Sequence, residues 1–217
     1  MSGKITEGAR HALLVATKNK GKLAELRALL ADLPLDVFSV DDVGVGSIVV
    51  EEDGATFEAN ATKKARTFAA ATMMLTLADD SGLEVDALGG RPGVRSARYA
   101  GEGASDAANN QRLLAELAGV PPPQRGARYR CVLAFVRSAD DLAPLRVEGA
   151  WEGRIAEAPR GSGGFGYDPL FIPVGHAGTS AELAPEEKNR LSHRGQALRA
   201  LVAQLAAGAS AGNGTPP

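Results

Sequence analysis

The chain alternates short apolar runs with amphipathic stretches. Residues 12–16, ALLVA, are apolar, and a polar turn, TKNKGK, follows. In the next stretch Leu23, Leu26, Leu30 and Leu33 recur at helical spacing, which predicts strand, turn and helix, with Pro34 ending the helix. LDVFSV at 35–40 reads as a second strand, and the acidic, Gly-containing residues 41–54 as a loop. Residues 56–72 read as a helix with Thr56 or Asp53 near its N-cap. MMLTLA at 73–78 is a continuous apolar run between turn signals, the pattern of a buried central strand. LEVDAL at 83–88 alternates and reads as a further strand closed by GGRPG. Residues 105–118 form a helix capped by Ser105 and stopped by Gly119 and a proline run. ARYRCVLAFVRS and LRVEGAWEGRIAEA are the longest strand candidates; the short polar turn between them predicts an antiparallel pair. GSGGFGYDP is a Gly-rich loop, and a helical region runs from Pro185 to Ala207. The sum is an α/β fold with a mixed sheet flanked by helices. Residues 12–207 form one domain, between a flexible N-terminus (1–11) and a disordered tail (208–217).

Composition narrows the function classes. Net charge is −2 over 217 residues and no dense Lys/Arg run occurs, which argues against nucleic acid or a membrane surface as partner. MSGKITEGARH lacks the apolar core of a signal peptide, and no stretch is long and apolar enough to span a bilayer. Cys131 is the only cysteine and lies in a strand-like run, so it reads as a small core residue. One cysteine and three scattered histidines offer no zinc spacing. A cytoplasmic location is the expectation.

Candidate chemistry sits at five places. An apolar run that stops at Asp79 and Asp80, with Ser81 and Gly82 following, reads either as a solvated turn or as a carboxylate pair held for a cation or for proton transfer. If the strand ends there, the pair lies beyond its carboxyl end, where α/β folds bind ligands. Glu51 and Glu52 are further oxygen donors for a Mg²⁺ ion, which favours carboxylates and substrate phosphates. In TKNKGK, a turn opening a helix, Lys18, Lys20 and Lys22 add charge and Thr17 and Asn19 add neutral donors; it reads either as a solvated, lysine-rich loop or as an anion site, and the full P-loop pattern is missing. Projected at 100° per residue, Lys64 falls with Ala61 and Phe68 within about 40° of Phe57, inside the apolar stripe; it either snorkels out or, aimed inward, needs an anion to meet, for which a phosphate would serve. Phe165 or Tyr167 can stack on a base, the alternative being a strand-to-loop bend with core aromatics. With Ser192 as N-cap, His193 and Arg194 occupy a first helical turn, which the helix dipole disfavours and a ligand could offset.

In this order the pieces resemble the inosine triphosphate pyrophosphatase family, also called the Ham1 family, across residues 12–206. The motifs that carry the resemblance are TKNKGKLAEL, EEDGATFEANATKKA, ADDSGLEVDALGGRPGVRSARYAG, GSGGFGYDP and EEKNRLSHRGQAL. The resemblance implies a long mixed sheet with two lobes and a nucleotide cleft, a homodimer, and Mg²⁺-dependent hydrolysis of ITP, dITP or XTP to monophosphate and pyrophosphate. It implies that Thr17, Lys18, Asn19, Lys20, Gly21, Lys22 and Lys64 bind the triphosphate. It makes Asp80 the general base and a metal contact. Ser81, Phe165, Gly166, Tyr167, Asp168, Lys188, His193 and Arg194 would bind the rest of the substrate. The metal-binding glutamate falls at Glu51 or Glu52. One position departs: Ala59 stands where the family usually has Glu, with Glu58 one residue earlier. Two other readings compete. One is a Maf-like pyrophosphatase for other modified bases, which the SHRG and FGYDP signatures disfavour. The other is a non-catalytic nucleotide sensor, which the intact DDSG and lysine set disfavours.

Overall fold

The computed structural model describes residues 10–211, with side chains to residue 207. The expected flexible N-terminus and tail lie largely outside these residues. Strands β1 (His11–Val15), β2 (Leu35–Ser39), β3 (Leu75–Val85), β4 (Gly126–Val136), β5 (Leu145–Ile155) and β6 (Phe171–Pro173) form one sheet in the order β2-β1-β3-β4-β5-β6. β1 runs parallel to both β2 and β3, whereas β5 and β6 are antiparallel, so the sheet is mixed. Helices α1 (Lys20–Leu30) and α2 (Phe57–Thr72) provide the crossovers between the parallel strands, as such connections require. Helix α3 (Asp106–Glu116) precedes β4, and α4 (Pro185–Leu191) and α5 (His193–Ala211) close the chain.

Caps expected from the sequence form. The Thr56 hydroxyl accepts from Ala59 N at 3.1 Å, and the Ser105 hydroxyl from Ala108 N at 3.2 Å. The C-terminal helical region is two helices, divided at Ser192, whose extended backbone (ψ 157°) breaks the run and whose hydroxyl accepts from Gly195 N. β6 escaped the pattern because three residues cannot display a period.

The main correction concerns β3. The expected strand end at Ala78 and second strand from Leu83 are one continuous strand, which runs through ADDSG. Asp79 and Asp80 therefore lie inside the sheet and not beyond a strand end. Gly82 makes no turn. A Cβ there would lie 2.5 Å from Ser96 Oγ and closer still to Gly93 O. The glycine thus serves close approach of the 93–98 helical turn to the strand. Ser96 Oγ accepts from Leu83 N at 2.8 Å and donates to Gly93 O at 2.7 Å, which locks that approach.

The chain divides into two compact units. The first comprises the segment up to Asp80, Val132–Glu148 and the segment from Ala197; the second comprises Ser81–Cys131 and Gly149–Gln196. In the first, Leu14, Val15, Leu26, Ala61, Ala65 and Leu77 are buried. In the second, Leu83, Val85, Leu113, Leu117, Trp151, Ile155 and Phe171 form one apolar cluster, in which Phe171 contacts the rings of Tyr129 and Trp151. Cys131 is buried. Among the described residues, no helix is long and apolar enough to cross a membrane.

Gly82→Ala should destabilise the protein by about 1–3 kcal/mol, the scale of overpacking in a filled interior. Urea denaturation measures it; an unchanged midpoint would mean that the 93–98 segment is not held against β3.

Candidate active site

In the first unit, β1 feeds a loop shaped by its own side chains. Asn19 caps α1 by accepting from Lys22 N at 3.0 Å, and Asn19 N donates to Thr17 Oγ1 at 3.2 Å. Lys18 and Lys20 are exposed, and Gly21 is half-buried at the helix start. Lys22 is drawn inward, its Nζ 2.6 Å from Asp79 Oδ1.

Successive side chains of a strand point to opposite faces. That property resolves the like-charge problem of the adjacent acids. Asp79 pairs with Lys22, while Asp80 meets Lys64 and Asn60. The two aspartates are 1 % and 4 % exposed. Lys64 is buried, as the helical projection placed it, and the anions it meets belong to the protein. Its ammonium donates to Glu52 Oε1 (2.8 Å), Asp80 Oδ1 (3.0 Å) and the carbonyl oxygen of Asp79 (2.7 Å). Burial works against that ammonium, but Asp80, Glu52 and Asp79 outweigh it and hold its pKa above the ordinary lysine value. Burial pushes the Asp80 carboxyl above the usual carboxylate range; Lys64 and Lys22 pull it down, and Glu52 adds to the rise.

Asn60, one turn before Lys64 on the same face of α2, was missed by the sequence reading. Its Oδ1 accepts from Gly54 N at 2.8 Å and its Nδ2 donates to Asp80 Oδ2 at 3.2 Å, so it ties the acidic loop to Asp80. The four-residue spacing to Lys64 was the available signal. Glu58 pairs with Arg146 at 3.1 Å.

The expected set of Glu51, Glu52, Asp79 and Asp80 is not gathered at one point. Glu51 is exposed, Asp79 faces Lys22, and Glu52 and Asp80 converge on one ammonium. Among the described residues, no group of three or more His, Cys, Asp or Glu is arranged to hold a metal. Two carboxylates already sharing a cation do fit an ion such as Mg²⁺, which completes its shell with water and phosphate oxygens; they do not fit a zinc cage.

The second unit gathers the other candidates around the 161–168 loop. Gly164 has φ +72°, and a Cβ there would fall on the Asp168 carboxylate and 3.0 Å from Lys188 Nζ. Asp168 accepts from Phe165 N at 2.8 Å and from the Ser180 hydroxyl at 2.8 Å, and pairs with buried Lys188. The half-buried Phe165 ring lies 5.1 Å from the Lys188 ammonium and 5.7 Å from the Arg194 guanidinium. Arg194, 1 % exposed, donates to Ser81 Oγ at 3.0 Å. The His193 ring stacks on Tyr129 at 4.8 Å, with 8° between planes. Tyr167 is taken up by the apolar cluster, and its hydroxyl donates to Ser96 O at 2.9 Å. Of the two aromatics considered for stacking, Phe165 keeps an accessible face.

A family model described as the Ham1 family matches residues 13–204. A dITP/XTP pyrophosphatase of Methylococcus capsulatus is 52 % identical over 198 residues, covering 91 % of this chain and 98 % of the relative. That of Escherichia coli is 50 % identical over 193 residues, covering 89 % and 97 %. A solved HAM1 protein from Coxiella burnetii superposes with a TM-score of 0.81 at 45 % identity, covering 90 % of this chain and 98 % of that one.

Lys64→Met removes the charge between buried Asp80 and half-buried Glu52 and should cost about 3–5 kcal/mol near neutral pH, as breaking a buried pair does. Without the ammonium the Asp80 pKa rises further above its unfolded value. The folded variant then gains stability as pH falls through that pKa, and its deficit shrinks. In the unsubstituted protein the raised Lys64 pKa keeps its contribution intact below the ordinary lysine value of 10.5 and loses it as pH rises beyond. Urea titrations of both proteins at pH 7 and pH 5 measure the gap; one under about 1 kcal/mol at pH 7 would contradict the ion-pair account.

Proposed function

Because the chain belongs to the Ham1 family, we propose that it hydrolyses purine nucleoside triphosphates with non-standard bases, dITP, ITP and XTP, to monophosphate and pyrophosphate. The carrying observation is identity of about half the residues, nearly end to end, with proteins named dITP/XTP pyrophosphatase. The residues supply the needed chemistry. Thr17 to Lys22 offer lysines, side-chain donors and backbone N–H groups at the start of α1 for the phosphates. Asp80 takes the proton from the attacking water, and its raised pKa suits a base working near neutral pH. The water oxygen bonds to the α-phosphorus, the α–β anhydride bond breaks, and pyrophosphate leaves. Glu52 and Asp80 are the residues that would hold Mg²⁺, which when bound supplies charge neutralisation at the phosphate oxygens.

Phe165, Lys188, His193 and Arg194 serve the base. Arginine only donates hydrogen bonds, so Arg194 suits the O6 acceptor of hypoxanthine and xanthine and opposes the 6-amino donor of adenine. Guanine carries the same O6, so its rejection rests on its 2-amino group. The proposal includes a cytoplasmic homodimer, as the family resemblance implies; sedimentation at the mass of two chains tests the dimer.

Pyrophosphate release from dITP, ITP and XTP should exceed that from dATP and dGTP, stop with a chelator and return with Mg²⁺. Asp80→Asn should keep nucleotide binding and lose turnover by ~10²-fold or more, the scale of losing a general base. Binding of ITP without pyrophosphate release by the unsubstituted protein would favour a sensor. Preference for a modified pyrimidine would favour the Maf-like reading.

A further inference from the structure

Helix α3 carries none of the residues assigned so far, yet it grips the Gly-rich loop at one residue. Asp106 Oδ2 accepts from Gly166 N at 2.6 Å, and Asn110 Nδ2 donates to Gly166 O at 3.0 Å. The two side chains stand four residues apart, one above the other on a single face of the helix. Both hydrogen-bonding groups of Gly166 are thus engaged by one rigid element. Gly166 has φ +62°, a left-handed conformation that a free loop would leave readily.

The same helix is anchored elsewhere in its unit. Asn109 donates to Ala97 O at 3.1 Å and accepts from Ala100 N at 2.7 Å. Glu116 accepts from the Tyr99 hydroxyl at 2.6 Å, and Arg112 donates to Tyr99 O at 2.6 Å. So α3 is a fixed reference against which the loop is set. Within the loop Asp168, itself held by Lys188 and Ser180, accepts from Phe165 N. Phe165 therefore lies between two restraints, Asp168 on its own N–H and the α3 pair on the next residue. Its ring stands 5.1 and 5.7 Å from the Lys188 and Arg194 cations.

We infer that Asp106 and Asn110 are positioning residues for base selection: by holding the backbone N–H and C=O of Gly166 they fix the Phe165 ring relative to Lys188 and Arg194. The inference rests on the base-binding role proposed above for Phe165 and Arg194. Asp106 is exposed, so removing its carboxylate leaves the interior packing in place. Asn retains an acceptor oxygen at the same reach, which makes Asp106→Asn the conservative variant.

The test measures kcat and KM for dITP and dATP on Asp106→Ala, Asp106→Asn and Asn110→Ala, with thermal denaturation alongside. The ratio of the two kcat/KM values on one preparation does not depend on how much of it is folded. Asp106→Ala should lower the dITP-to-dATP ratio by at least about 10-fold, the loss expected of a hydrogen bond to a charged group, and Asn110→Ala, which loses a neutral bond, by about 3-fold or more. The change should appear mainly as a raised KM for dITP, and Asp106→Asn should restore most of it. An unchanged ratio, or equal loss on both substrates that Asp106→Asn does not rescue, overturns the inference. Selectivity of the unsubstituted protein for dITP is measured first, and its absence would refute the base-site reading instead.

Discussion

One buried ammonium organises the acidic half of the candidate site. Lys64 stands among Glu52, Asp80 and the Asp79 carbonyl with all three acceptors within 3.0 Å. None of these carboxylates could be withdrawn from water alone without shifting strongly toward its neutral form. The lysine makes their burial possible, and Asn60 fixes the second Asp80 oxygen and the 51–54 loop around it. Asp79 has its own cation in Lys22, so two adjacent acids occupy a central strand without facing each other. Under the proposed function, the same arrangement would offer carboxylate oxygens to Mg²⁺ and lysines to the phosphates of a triphosphate.

The residues proposed to serve the base depend on a different device, a glycine-rich loop held by fixed groups. Asp168 holds Phe165 N, pairs with Lys188 and accepts from Ser180. A cation beside an aromatic face is favourable, and Phe165 has two such neighbours. Arg194 at the start of α5 is set against the helix dipole, and the Ser81 hydroxyl gives it a neutral acceptor.

Much of this was legible in the sequence, for identifiable reasons. Helices α1, α2 and α3 announced themselves by their sequence patterns, and α2 and α3 also by Thr56 and Ser105 at their caps; the cap at Asn19 was not read. Lys64 was found because a charge within an apolar stripe is conspicuous. What the sequence hid was the partner of each charge. Asp-Asp-Ser-Gly carries turn chemistry, and only Ser96 and Gly93 packed on Gly82 explain why the strand continues. The choice between Glu51 and Glu52 depends on which carboxylate the loop turns toward Lys64, and no local pattern encodes that. Tyr167 looked like a stacking residue beside Phe165, but the apolar cluster claims its ring. Asp106 and Asn110 act on a residue more than fifty positions away, beyond the range of any periodicity.

The central claim is that Asp80 and its surroundings direct water to the α-phosphorus of a purine nucleoside triphosphate. Hydrolysis of dITP in oxygen-18 water, followed by mass spectrometry of both products, tests it most directly. The account predicts one labelled oxygen in the monophosphate and none in the pyrophosphate. Label in the pyrophosphate, or sequential release of labelled orthophosphate, would contradict it.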